Sequence, residues 1–278
     1  IITEYIRNGT LYDIITLERK SLKLEEWNDT RKLINIYGIA SAMSYLHSHK
    51  IIHRDLKPLN ILIDDFLCPK IADFGFSKIQ HTNEDSMTMN SVQGLKGSPL
   101  YMSPEVWDLE YSQASDVYAF GMIVFEIITA VEPFKNLDFV NISKKVQNGV
   151  RPKIDGFVPS SYKNLIESCW AQDQEERPSF DQIVEQLKSD QGFITEMVEE
   201  ADFYDYVDYI ENSKTGFDSK KNIIQIDKFV LRKTNTFKKI SINEMKETRN
   251  INEEDDDEWK SDKRILYFSE SGRFYDKD

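Results

Sequence analysis

Cysteine is nearly absent: Cys68 and Cys169 are the two in 278 residues. Two cysteines make no disulfide framework, so a reducing compartment, the cytoplasm, is expected. Positive charge is also short, with 35 Lys and Arg against 48 Asp and Glu and a net charge of −13. Such a chain lacks the clustered bases that phosphate backbones require, so no nucleic-acid partner is expected, and no adhesion to anionic membranes. Long apolar runs are missing too. The longest, Val117 to Val131, is broken by Glu126 and reads as a buried core helix, not a membrane span. No signal-peptide pattern opens the chain, and no internal repeat is visible. What remains is ordinary for a soluble globular protein, 40% hydrophobic and 30% charged, long enough for one large domain or two small ones.

Residues 1–6 read as a strand ending in the turn signal Arg7-Asn8-Gly9. A short helix is predicted from Leu11 to about Leu17. A long one is predicted from Trp27 to His49, where Leu33, Ile36, Ala40, Met43 and Leu46 recur at three- or four-residue steps. Ile61-Leu62-Ile63 and Pro69-Lys70-Ile71-Ala72, separated by Asp64-Asp65, read as a hairpin. Lys78 to Gly97 is polar and reads as an exposed loop. Ser115 is the predicted cap of the apolar helix that follows it, and further helices are predicted near 138–148, 160–171 and 180–188.

Composition shifts after Ser189. Asp190 to Glu211 holds eight acids and no base, Lys228 to Lys239 five bases and no acid, and Glu253 to Glu258 six consecutive acids. Charge blocks of this kind read as solvated or loosely docked segments. A domain is therefore placed at 1–188 and an acidic, partly disordered extension at 189–278. Ile194, Val198 and Ala201 suggest the start of an amphipathic helix, and Phe229-Val230-Leu231 a strand. The partner of this tail is unknown, and a docking or autoinhibitory role is one option for it.

The segment His53-Arg54-Asp55-Leu56-Lys57-Pro58-Leu59-Asn60, followed thirteen residues later by Asp73-Phe74-Gly75, resembles the catalytic loop and metal-binding motif of the protein kinases. Phosphoryl transfer needs the phosphate charge neutralised and a nucleophile positioned. Mg²⁺, a hard cation, takes oxygen ligands, and Asn60 and Asp73 offer them from either end of the hairpin. By resemblance Asp55 is the base that accepts a proton from the substrate hydroxyl. Lys57 steadies the transferred phosphate, and Asn60 and Asp73 are the metal ligands. His53 is structural, packing near Phe74.

Other segments extend the resemblance. Gly97-Ser98-Pro99-Leu100-Tyr101-Met102-Ser103-Pro104-Glu105 is similar to the end of the activation segment, although the family more often has Thr where Ser98 stands and Ala where Ser103 stands. It implies a Ser98 hydroxyl near Asp55 and Lys57, and a buried pair between Glu105 and Arg177. Asp116 and Gly121 match the central helix that anchors the catalytic loop, and Trp170 matches a core tryptophan of the tyrosine-kinase-like group. Thr3-Glu4-Tyr5-Ile6 resembles the last N-lobe strand and hinge: Thr3 as gatekeeper, the backbones of Glu4 and Ile6 on adenine, Leu62 as the pocket floor. No Gly-x-Gly-x-x-Gly occurs in the sequence.

The expectation is an α+β, mainly helical kinase C-lobe with a small hairpin by the catalytic loop and a truncated N-lobe. The cofactors implied are ATP and Mg²⁺, and the substrate is a protein. On this view the chain alone binds ATP weakly, turns over little, and exposes an apolar upper face that favours association. Lys57 and the loop at Ser98 imply Ser and Thr as acceptors. Arg54 implies control by an activation-loop phosphate, with Thr82, Ser86, Thr88 and Ser91 as candidates. A pseudokinase scaffold is the alternative, although a pure scaffold has no chemical need for Asp55, Lys57, Asn60 and Asp73 together. A small-molecule kinase is the third option, disfavoured by the segment from Gly97 to Glu105.

Overall fold

The computed structural model describes residues 6, 8–22, 24, 26–79 and 97–214. Thr3, Glu4, the four candidate phosphosites and Phe229 to Leu231 lie outside them. Among the described residues are seven α-helices: α1 (Leu11–Arg19), α2 (Asp29–Ser48), α3 (Gln113–Thr129), α4 (Phe139–Gln147), α5 (Ser160–Cys169), α6 (Phe180–Ser189) and α7 (Glu200–Lys214). Four strands of two or three residues accompany them: β1 (Ile51–Ile52), β2 (Ile61–Ile63), β3 (Pro69–Ile71) and β4 (Lys78–Ile79). The architecture is mainly helical, as expected, and no described helix is long and apolar enough to cross a membrane.

Local chemistry explains where the elements start. Thr10 and Asp13 cap α1 reciprocally: the Thr10 N–H donates to Asp13 Oδ2 at 2.8 Å and the Asp13 N–H to Thr10 Oγ1 at 3.3 Å. Asn28 caps α2 by accepting the Arg31 N–H. For α3 the predicted cap is corrected. The helix begins at Gln113 after Ser112, and Ser115 lies in its first turn, where its Oγ accepts the Ser112 N–H at 3.1 Å. Ser115 still satisfies an end-group of the helix, but from inside it.

Helix α2 is buried on nearly every side, because α3, α6, α7 and both strand pairs surround it. The predicted stripe of Leu33, Ile36, Ala40, Met43 and Leu46 is all interior. Helix α3 is likewise buried from Ser115 to Ile127 and packs against α5.

The predicted hairpin is present: β2 pairs antiparallel with β3, with Ile61 opposite Ile71 and Ile63 opposite Pro69. Asp64 closes its turn by accepting the N–H groups of Phe66 and Cys68, both at 2.9 Å. The loop predicted from Lys78 is corrected at its start, since Lys78 and Ile79 pair with Ile52 and Ile51. Strand propensity at Ile79 and an available partner edge outweigh the polar composition downstream. The predicted opening strand is represented by Ile6 alone, which is half-buried and in no regular structure. The following chain docks on β2, with Thr10 bridged to Leu62 and the Ile63 N–H donating to Gly9 O at 3.0 Å.

Residues 190–214, the start of the acidic extension, pack against the helices described above. Phe193, Val198, Phe203, Tyr206 and Val207 belong to the same hydrophobic cluster as α2 and α3, so the core runs through the proposed 188/189 boundary. The helix begins at Glu200, and Ala201, taken as an inward position, is exposed. Tyr37 of α2 meets Phe203 edge-on at 5.7 Å and Tyr206 at 6.3 Å.

Gly38 faces this contact. A Cβ there would lie 2.5 Å from Tyr206 Oη and 2.7 Å from Pro69 Cγ. Gly38→Ala should therefore overpack the α2–α7 contact and lower stability by about 1–3 kcal/mol, measured by denaturant unfolding. An unchanged midpoint would show that Tyr206 yields without cost.

Candidate functional site

Two N–H donors fix the loop after β1 to the first turn of α3. The Asp116 carboxylate, on a residue 2% exposed, accepts the N–H of His53 at 2.8 Å and of Arg54 at 2.9 Å, and His47 Nε2 lies 2.9 Å from it. Between these anchors Arg54 adopts a left-handed backbone with φ 67°, a conformation that costs a non-glycine residue roughly 1–2 kcal/mol and that the two N–H bonds hold in place. His53 points inward. Its ring lies 5.3 Å from that of Phe74 and its Nε2 3.1 Å from Ala72 O, tying the loop to the residue before Asp73.

This geometry collects most of the residues singled out in the sequence. Asp55 is buried. Its Oδ2 lies 2.8 Å from Lys57 Nζ, and its Oδ1 accepts the Ser98 hydroxyl at 3.2 Å. Lys57 Nζ also donates to Ser98 Oγ at 2.7 Å, so base, cation and alcohol form a closed triangle. Asn60 Nδ2 donates to Asp55 O at 2.7 Å and to Asp55 Oδ2 at 3.0 Å. Both amide protons are committed to Asp55, which fixes the orientation of the amide and leaves its oxygen as an acceptor.

Asp73 follows from the far end of the hairpin. The Ala72 N–H donates to Asn60 O at 2.9 Å, which brings the two strand ends together. Asp73 has a left-handed backbone, φ 61°, and its Oδ1 accepts the Gly75 N–H at 3.2 Å. Among the described residues no group of three or more His, Cys, Asp or Glu is arranged to hold a metal. Asn60 and Asp73 offer two hard oxygen donors, a set that fits Mg²⁺, which takes its remaining ligands from phosphate and water. Of the expected adenine contacts, Ile6 and Leu62 are both half-buried.

Arg54 turns away from this group. Its guanidinium lies 5.5 Å from the centre of the Tyr111 ring and donates to Phe76 O. Burial pulls it below its ordinary pKa, with Tyr111 and Asp116 opposing. No sequence signal marked Tyr111 or His47 for these roles.

Two acids, the half-buried Glu105 and the buried Glu126, brace the segment from Ser98 to Glu105. Glu105 receives both arms of Arg177, at 2.7 and 2.9 Å, as the sequence implied. Burial pushes the Glu105 carboxyl up, but Arg177 and Ser103 outweigh it and hold it below the usual range. Glu126 is 1% exposed, accepts the Tyr101 hydroxyl at 2.6 Å and pairs with Arg19 at 3.0 Å. It thereby links α1, α3 and the loop carrying Ser98. Its signal was the lone acid inside the apolar run from Val117 to Val131.

With this geometry in hand, the comparisons agree. The model of the protein tyrosine and serine/threonine kinase family matches residues 1–187, and the chain belongs to that family. It is 39% identical over 190 residues to a protein of Acanthamoeba polyphaga mimivirus named as a serine/threonine-protein kinase/receptor, covering 67% of this chain and 11% of that protein. To the dual specificity protein kinase pyk3 of Dictyostelium discoideum it is 37% identical, covering 68% of this chain and 13% of pyk3. To the RGS domain-containing serine/threonine-protein kinase A of the same organism it is 36% identical, covering 68% of this chain and 16% of that kinase. The chain thus spans a small part of the relatives it matches.

Burial pushes the Glu126 carboxyl from 4.5 up to about 7, against Tyr101 and Arg19, which pull it down. The folded state then holds a proton that the unfolded state releases. The corresponding stability is fully present below about pH 4.5 and is lost as pH rises through about 7. At about 1.4 kcal/mol per pH unit the shift corresponds to roughly 3 kcal/mol at most. Thermal unfolding followed between pH 5 and 8 should show a decline attributable to this group, and Glu126→Gln should flatten it. A parallel profile in the variant would assign the decline elsewhere.

Proposed function

We propose that the chain carries the phosphoryl-transfer site of a protein kinase that moves the γ-phosphoryl group of ATP to a protein Ser or Thr hydroxyl. One observation carries the reading. An alcohol, Ser98, and an ammonium, Lys57, sit on the two oxygens of the Asp55 carboxylate, whose orientation Asn60 fixes. A substrate hydroxyl placed like that of Ser98 can hand its proton to Asp55 as its oxygen bonds to phosphorus. The bond between the γ-phosphorus and its bridging oxygen breaks, and ADP leaves. Lys57 would steady the moving group, and Asn60 and Asp73 would hold Mg²⁺. Mg²⁺, when bound, neutralises phosphate charge.

Within this reading the chain is the hinge and C-terminal lobe of a kinase of the tyrosine-kinase-like group. Support comes from Trp170, from the segment Gly97 to Glu105, and from the lack of a Gly-x-Gly-x-x-Gly in the sequence. Ser and Thr are preferred as acceptors on the strength of Lys57 hydrogen-bonded to Ser98. The relatives' names point both ways, to serine/threonine and to dual specificity.

Transfer from γ-labelled ATP to a generic protein acceptor tests the proposal, using this chain and any longer protein that contains it. Asp55→Asn should reduce transfer by about 100-fold or more while leaving nucleotide binding intact, and phosphoamino-acid analysis should find label on Ser and Thr. Full transfer by the Asp55→Asn variant would remove Asp55 as the base, and label on Tyr alone would overturn the assigned specificity.

A further inference from the structure

The family match ends at residue 187, yet the folded core continues to α7. Helix α7 is tied at both ends. At its start the Glu199 N–H donates to Thr30 Oγ1 at 2.9 Å, and near its end Lys188 pairs with Glu211 at 2.7 Å. Between them Tyr206 is 3% exposed and brings its hydroxyl close to the bare backbone of Gly38, which Pro69 also approaches. Pro69 opens β3. The turn before it is held to the same helix by Asn35, whose Nδ2 donates to Leu67 O at 2.8 Å. The hairpin turn thus docks on α2 beside the point where Tyr206 of α7 reaches the same helix, and the opposite ends of the hairpin carry Asn60 and Asp73.

We propose that α7 is a brace for the β2–β3 hairpin, with Tyr206 as a positioning residue that helps set the placement of Asn60 and Asp73. The consequence for metal and nucleotide rests on the reading given under Proposed function; the mechanical part does not. A two-stranded hairpin with strands of three residues is too short to hold its own shape. Its turn must borrow rigidity from what packs on it, and here Tyr206 supplies one of the two walls.

The test uses the 278-residue chain with Tyr206→Ala, Tyr206→Leu and Tyr206→Phe. Amide hydrogen exchange is read at residues 61–71 and, as an internal reference, at residues 117–127 of α3. Tyr206→Ala or, should that variant not fold, Tyr206→Leu should exchange about tenfold faster at the hairpin with α3 unchanged, and Tyr206→Phe, which keeps the ring and loses the hydroxyl at Gly38, should show a smaller acceleration. In the phosphoryl-transfer assay the same variants should need about tenfold more Mg²⁺ for half-maximal activity, with the acceptor-protein KM unchanged. Equal loss of protection in hairpin and α3, or none at the hairpin, overturns the brace. Faster hairpin exchange in a wild-type background that transfers no phosphate leaves the brace standing and counts against the catalytic reading instead.

Discussion

The arrangement depends first on one carboxylate. Asp116 stands at the N-terminal turn of a helix whose own N–H groups favour an anion there, and it accepts two successive N–H groups from a loop with almost no regular structure of its own. Without Asp116 those N–H groups would be buried and unmatched, and Arg54 would have no reason to keep its left-handed backbone. The direction of Asp55 follows from that turn, the amide of Asn60 follows from Asp55, and Ala72 follows from Asn60. Helix α3 can serve as the reference because it is packed on all sides from Ser115 to Ile127. It is buried along its length, and Gly121 lets it approach α5 so closely that a Cβ there would sit 2.8 Å from Cys169 Cβ.

Two interior acids show how the balance between desolvation and partners decides charge. Glu105 keeps 10% of its side chain exposed and receives two guanidinium bonds, while Glu126 keeps 2% and receives one, together with a phenol. Desolvation is the largest single effect on each. Bidentate pairing overcomes it at Glu105 and single pairing does not at Glu126. Both acids hold the stretch that carries Ser98 and Tyr101, so the loop beside Asp55 is fixed by one firmly ionised tie and by one whose charge changes near neutral pH.

Much of this was legible because it is periodic or because it is a motif. The three- and four-residue spacing from Leu33 to Leu46 announced α2, and the run from His53 to Asn60 announced the loop in which Lys57 and Asn60 hydrogen-bond around Asp55. Other features had no local signature. Tyr111 reaches Arg54 across 57 positions, and His47 reaches Asp116 across 69. Nothing in either neighbourhood distinguishes those residues from ordinary core aromatics. The start of α3 was misplaced by three residues because Ser112 and Ser115 are both competent caps, and the choice between them is made by tertiary contacts such as Ser112 Oγ to Gln174 Oε1 at 3.0 Å.

The acidic stretch after Ser189 misled for a reason that applies more widely. Composition averages over a helix, whereas packing acts on its faces. None of the eight acids from Asp190 to Glu211 is buried, while Phe203, Tyr206 and Val207, spaced three and one apart, point together into the core. Acids in the first turn, Glu200 and Asp202, also suit the positive end of the helix dipole. A charge block that excludes a core of its own therefore does not exclude donating one apolar stripe to a neighbour's core. Tyr37 and Gly38 of α2 provide the matching surface, a ring and a gap side by side, so the limit of the folded core is drawn by where that surface is covered, beyond where the family match stops.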